Sequence, residues 1–171
     1  EGTKRFWEYI TRSNWVIMKK LILLISMALF LNAQDGVKKL VLDLTTSKIK
    51  NIERKVLSGT VKHKNYYESK LEELEVAIVI HGGAYRYFIK DLSKTPYKDE
   101  VNTIKVQSDL YTRLKALNEL YDVEFYMCAS GLKKLNIDPS NIVDFVKLSP
   151  TSTIALIDKQ DEGYAYIPIS D

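Results

Sequence analysis

Apolar residues along the chain follow two rhythms. Five short runs rich in β-branched residues, at 38–44, 76–81, 123–128, 142–148 and 164–169, are bounded by turn residues or helix signals. Runs of this length and composition predict strands. In the second run, Val76-Ala77-Ile78-Val79-Ile80 is apolar without a break, the pattern of a strand covered on both faces of a parallel sheet.

Between the strands the spacing lengthens to helical. Ile49, Ile52, Val56, His63 and Tyr67 predict a helix after the first strand, with Thr45, Thr46 or Ser47 available to cap it and Gly59 a weak point along it. Leu110, Leu114, Leu117 and Tyr121 form a stripe on a helix between the second and third strands. Asp138-Pro139 reads as an N-cap followed by proline at the first helical position. A last helix runs from Thr151 to Glu162 and stops at Gly163, a natural left-handed C-terminus. The charged stretch 90–103, interrupted by Pro96, reads as an exposed loop. Strict alternation of strand and helix predicts an α/β fold: a five-stranded, mostly parallel sheet with helices on both faces and right-handed crossovers.

The beginning of the chain has a different character. Lys19 and Lys20 follow Met18, Leu21 to Leu31 is an apolar run broken only by Ser26, and Ala33 ends the segment with a small side chain. Basic, apolar, then small is the order of a secretory signal peptide. A run of 11 residues is short of the ~20 that a membrane-spanning helix needs. The sequence therefore predicts a signal peptide over 18–33, cleaved near Ala33/Gln34 and directing the chain to the periplasm. A buried N-terminal helix and an uncleaved anchor are the alternatives. Residues 1–17 read as an upstream extension without a folding role, and residues 34–171 as one domain.

Removing 1–33 changes the charge balance. That segment carries five bases against two acids, which accounts for the whole formal net charge of +3. The remaining domain is formally neutral and offers no basic field for nucleic acid or an anionic membrane.

Ligands of open α/β sheets bind beyond the carboxyl ends of the strands, and two strand ends here carry reactive or permissive residues. The first is His81-Gly82-Gly83-Ala84, where glycines allow close backbone approach and the following helix start offers free N–H groups. It has neither the Walker nor the dinucleotide-binding glycine spacing, so no cofactor is predicted. A tight turn with a hydrogen-bonded His81 is the plainer explanation. The second is Met127-Cys128-Ala129-Ser130-Gly131, with the only cysteine of the chain between a strand and a helix that Gly131 shortens or distorts. A thiol at a helix N-terminus is favoured as thiolate, the nucleophilic form. A single cysteine makes no internal disulfide, and one Cys with two scattered His gives no zinc-ligand spacing.

The order of VAIVIHGGA, then VEFYMCASGLKKLNI, then QDEGYAYIPI resembles the DsrE/DsrF-like family over about residues 38–169. The resemblance implies a flavodoxin-like three-layer sandwich and self-assembly as a homotrimer or homohexamer. Family members in sulfur oxidation and tRNA thiolation carry sulfur as a persulfide on a cysteine after the third strand, the position of Cys128. The chain is thus expected to be a periplasmic sulfur carrier with Cys128 as its reactive residue. His81, Gly82, Gly83, Ala129 and Ser130 would line the site, and a donor or acceptor protein or a small sulfur compound would be its partner. Two other readings stay open: a non-catalytic oligomeric binding module with a buried structural Cys128, and a redox sensor that forms an intermolecular disulfide.

Mass spectrometry of the exported protein is expected to find an N-terminus near Gln34. A mature chain retaining Lys19-Lys20 would contradict cleavage.

Overall fold

The computed structural model describes residues 37–171, and the expected extension and signal peptide lie outside them. β1 (Val37–Leu44), β2 (Glu73–Ile80), β3 (Glu124–Cys128), β4 (Val146–Ser149) and β5 (Ala165–Ile169) form one sheet in the order β4-β3-β2-β1-β5. Every pairing is parallel. The helices are α1 (Ile49–Asn51), continued by a π-helical segment (Ile52–Ser58) into α2 (Gly59–Glu68), then α3 (Val101–Tyr121), α4 (Ala129–Lys134) and α5 (Ser152–Asp161). The expected α/β alternation and parallel sheet are borne out.

Strand order sets how the helices divide between the faces. The steps β1 to β2, β2 to β3 and β3 to β4 all move the same way, so right-handed crossovers place their helices on one face. Only α5, on the return from β4 to β5, crosses the other. The core divides accordingly. Leu42, Leu44, Ile78, Ile80, Phe125 and Met127 pack beneath α1–α4 in a large cluster. Val41, Ala77 and Val79 meet Ala155 of α5 and Tyr164 in a small one. β5 is an edge strand exposed along most of its length, and its Pro168 lacks the N–H with which another strand could pair.

Several boundaries differ from the sequence expectation. β2 begins at Glu73 and ends at Ile80, leaving His81 just outside it. The run at 142–148 gives a strand only from Val146, because Ile142 instead forms an isolated antiparallel bridge with Ile89. Asp138-Pro139 starts one 3-10 turn, in which the Asp138 carboxylate accepts from the Ser140 N–H. The stretch 90–103 is largely exposed, as expected, but it is neither wholly loop nor wholly solvated. Leu92, Thr95 and Tyr97 are buried and α3 already begins at Val101. Its polar groups are consumed locally: Asp91 accepts from the Ser93 N–H, and Thr95 donates to the Leu92 carbonyl. His63, expected on the buried stripe, is exposed, while Thr60 is buried. The wide turns of the π-helical segment advance the inward face by about one residue, so past Thr60 the half-buried positions are Val61, Lys64 and Tyr67, and His63 turns outward.

Gly131 has a packing role. A Cβ there would overlap the Tyr85 hydroxyl oxygen and stand 2.6 Å from the ring carbon bearing it. The glycine lets α4 close down on the 3-10 turn at Gly82–Phe88. Tyr85 is buried and has no room to retreat. Gly131→Ala is expected to cost about 2–3 kcal/mol, in the range of overpacked cores, read as a lowered urea midpoint with an unchanged slope.

Candidate functional site

Parallel pairing aligns the carboxyl ends of all five strands along one edge, and two of the expected site residues reach it on adjacent strands. Ile80 pairs with Met127 in the β2–β3 register. His81 and Cys128 are the next residue on each strand. The backbone N–H of His81 donates to the Leu44 carbonyl at 3.1 Å, so the ladder runs one residue past the end of β2. Neighbouring strands lie about 4.8 Å apart, and side chains alternate between faces. Two residues earlier, Val79 and Tyr126 pack on the α5 side. Alternation alone directs His81 and Cys128 to that side, although Cys128, at the very end of its strand, packs with the large cluster beneath α1–α4.

Cys128 is 7% exposed and free of any disulfide. Its Sγ lies 3.1 Å from Ser130 Oγ. Ser130 is held in place by its own N–H, which donates to the Pro150 carbonyl at 3.2 Å and ties α4 to the turn before α5. Burial pushes the thiol pKa up. Hydrogen bonds from the Ser130 and Tyr85 hydroxyls and from the Gly131 and Ser152 N–H groups outweigh it, and the result lies at about 7, below the ordinary 9.0. Tyr85 has only one proton, and in the structure it donates that proton to the Cys128 carbonyl at 2.7 Å. The thiolate therefore depends most on Ser130 and the two amides. Burial, and then the contact with Cys128, push the Tyr85 phenol well above its usual range, so it remains a donor.

The glycines of the first strand end serve the protein's own backbone. Gly82 takes φ +59, and a Cβ on Gly83 would stand 2.9 Å from Ser47. The Gly83 N–H donates to the Thr45 carbonyl at 3.0 Å. These contacts fold the turn after β2 onto the loop after β1. That loop is further held by the Asp171 carboxylate, which accepts from the Ser47 N–H and hydroxyl at 2.8 and 2.7 Å. Ala129 is the first residue of α4 and half-buried beside Cys128.

The structure adds a group that the sequence pattern did not single out. His81 Nε2 lies 2.6 Å from Asp43 Oδ1, and the Tyr166 hydroxyl donates to Asp43 Oδ2 at 2.7 Å. Asp43 sits in the otherwise apolar second half of β1, and its side chain is 13% exposed. A lone carboxylate in such a strand was the available signal.

At the amino-terminal end of the sheet a second polar cluster is structural. Lys159 is buried, bonded to Glu124 and Glu162 at 3.0 and 2.9 Å, and packed over the Tyr126 and Tyr164 rings. Burial pushes the Glu124 carboxyl up, but Lys147 and Lys159 bring it down to about 2. Clefts open elsewhere. One of about 590 Å³ lies between the π-helical segment and α3, lined by Leu57, Val61, Arg113 and Tyr121. Another of about 500 Å³ lies near Lys48, Arg86 and Glu100. Neither is lined by Cys128 or His81. Among the described residues, no group of three or more His, Cys, Asp and Glu could hold a metal.

Known proteins share this architecture. The chain is 28% identical over 153 residues to an uncharacterized protein of Aquifex aeolicus (strain VF5), covering 90% of this chain and 65% of that one. The chain thus spans less than two thirds of that relative's length. The solved structure of a protein of unknown function from Methanobacterium thermoautotrophicum superposes with a TM-score of 0.51 at 18% identity, over 77% of this chain and 98% of its own. At that identity the likeness concerns the fold. The family comparison reaches further: the DsrE/DsrF-like model matches residues 19–169, and the chain belongs to the DsrE/DsrF-like family.

Proposed function

We propose that this protein handles sulfur, with Cys128 accepting it as a persulfide at the carboxyl edge of the sheet. Family membership supports a role related to sulfur relay. The observation that carries the finer reading is the setting of Sγ, 3.1 Å from the Ser130 hydroxyl and next to the amides that open α4 and α5. A thiolate attacks a sulfane sulfur, and the terminal sulfur of the resulting persulfide is again an anion that hydroxyl and amide donors can hold. In this reading the protein is exported to the periplasm and works as a homotrimer or homohexamer. It exchanges sulfur with a donor or acceptor protein or with a small sulfur compound. Exposed apolar side chains at both sheet edges, Leu148 on β4 and Ile167 on β5, suit self-assembly.

The burial of Cys128 favours a second reading, a non-catalytic oligomeric binding module in which the thiol only packs. The two readings differ in what the thiol does under native conditions. Purified protein incubated with polysulfide or thiosulfate is expected to gain the mass of one sulfur atom on Cys128, and Cys128→Ser is expected to gain none. An unmodified wild type, or equal gain by Cys128→Ser, would reject the carrier reading. Thiol labelling that is slow in the native protein and fast only after denaturation would favour the packing reading.

A further inference from the structure

The Asp43–His81–Tyr166 group lies at the same carboxyl edge of the sheet as Cys128 but takes no part in holding its sulfur. We propose that His81 is the proton donor to the leaving group in sulfur transfer to Cys128, with Asp43 and Tyr166 as its positioning residues. This rests on the persulfide reading above and deepens it.

The geometry supports it in three ways. First, the register brings His81 and Cys128 to the ends of adjacent strands, each one residue beyond the Ile80–Met127 pair. Second, each oxygen of Asp43 has a donor from the protein. One oxygen takes His81 Nε2 and the other takes the Tyr166 hydroxyl. A carboxylate can only accept, so Nε2 carries a proton and the ring orientation is fixed. Nδ1 is the ring nitrogen left facing away from Asp43. Third, the imidazole is accessible, with about a third of its side chain exposed, while Asp43 behind it is largely covered. An oriented imidazole backed by a sheltered carboxylate is the usual arrangement for moving protons.

The step balances without an outside oxidant or reductant. Cys128 thiolate attacks the outer sulfur of an anionic alkyl persulfide, R–S–S⁻. The Cys128 S–S bond forms as the R–S bond to that sulfur breaks. The leaving thiolate R–S⁻ takes the proton from the His81 imidazolium and departs as R–SH. Cys128 is left as the anionic persulfide, and His81 regains its proton from solvent. The transferred sulfur keeps its oxidation state. With thiosulfate the leaving group is sulfite, which departs as an anion and needs no proton.

That contrast gives the test. Sulfur uptake by Cys128 is timed by mass spectrometry with cysteine persulfide and, separately, with thiosulfate. His81→Gln is expected to slow uptake from cysteine persulfide about a hundredfold, the low end of general-acid catalysis, while thiosulfate uptake stays within about twofold. Asp43→Asn is expected to give the same donor-selective pattern with a smaller loss. Equal loss with both donors would reduce His81 to a structural residue, and no loss with either would make it a spectator; both overturn the inference while leaving the carrier reading standing. Failure of the wild type to take sulfur from either donor would remove the carrier reading, and this inference with it.

Discussion

Parallel pairing of β2 with β3 is the constraint on which the candidate site depends. With Ile80 opposite Met127, the next residues on the two strands are His81 and Cys128. A shift of one residue in this register would turn one of the two side chains to the opposite face. The register is held by continuous burial, because Val76 to Ile80 and Phe125, Met127 and Cys128 lie in the core. A slip would move Phe125 and Met127 out of the large cluster and onto the face that only α5 covers. Core packing and site geometry are thus set by the same pairing.

The second determinant is electrostatic. Burial alone would keep Cys128 as a neutral thiol, but a hydroxyl and two backbone amides on one side of it reverse the balance. Moving the thiol from 9.0 to about 7 corresponds to about 3 kcal/mol in favour of the thiolate. The linkage has a direction. The folded pKa lies below the unfolded one, so this contribution to stability is fully present above pH 9. It declines as pH falls and is gone below about pH 7. These donors belong to α4 and to the start of α5, where Thr151 caps the helix by accepting from the Ile154 N–H. The chain after β4 therefore helps set the chemistry at the end of β3.

The order of elements was legible from the sequence because each strand and helix is marked by its own spacing. Cys128 stood out for the same local reason, lying at the join of a strand and a helix. Features made by distant segments were not legible. Tyr166 reaches Asp43 across the sheet, and Ser152 reaches Cys128 from the next crossover. His63 fits a regular helical stripe and leaves it only because the preceding turns are π-helical. The stretch 90–103 looks solvated by composition. Its buried Leu92 and Tyr97 are covered because the charged groups around them bond locally or, like Arg86 and Glu100 at 2.6 Å, to one another. Gly82 and Gly83 suggested a ligand cradle, yet neighbouring loops occupy the space that their missing side chains leave.

Chemistry at this edge turns on the ionisation of one sulfur, and the rate of Cys128 alkylation in the native protein, measured against pH, reports that ionisation. The rate is expected to rise with a midpoint near pH 7, and Ser130→Ala is expected to move the midpoint upward. A midpoint at the ordinary thiol value of 9.0, unchanged by Ser130→Ala, would contradict it.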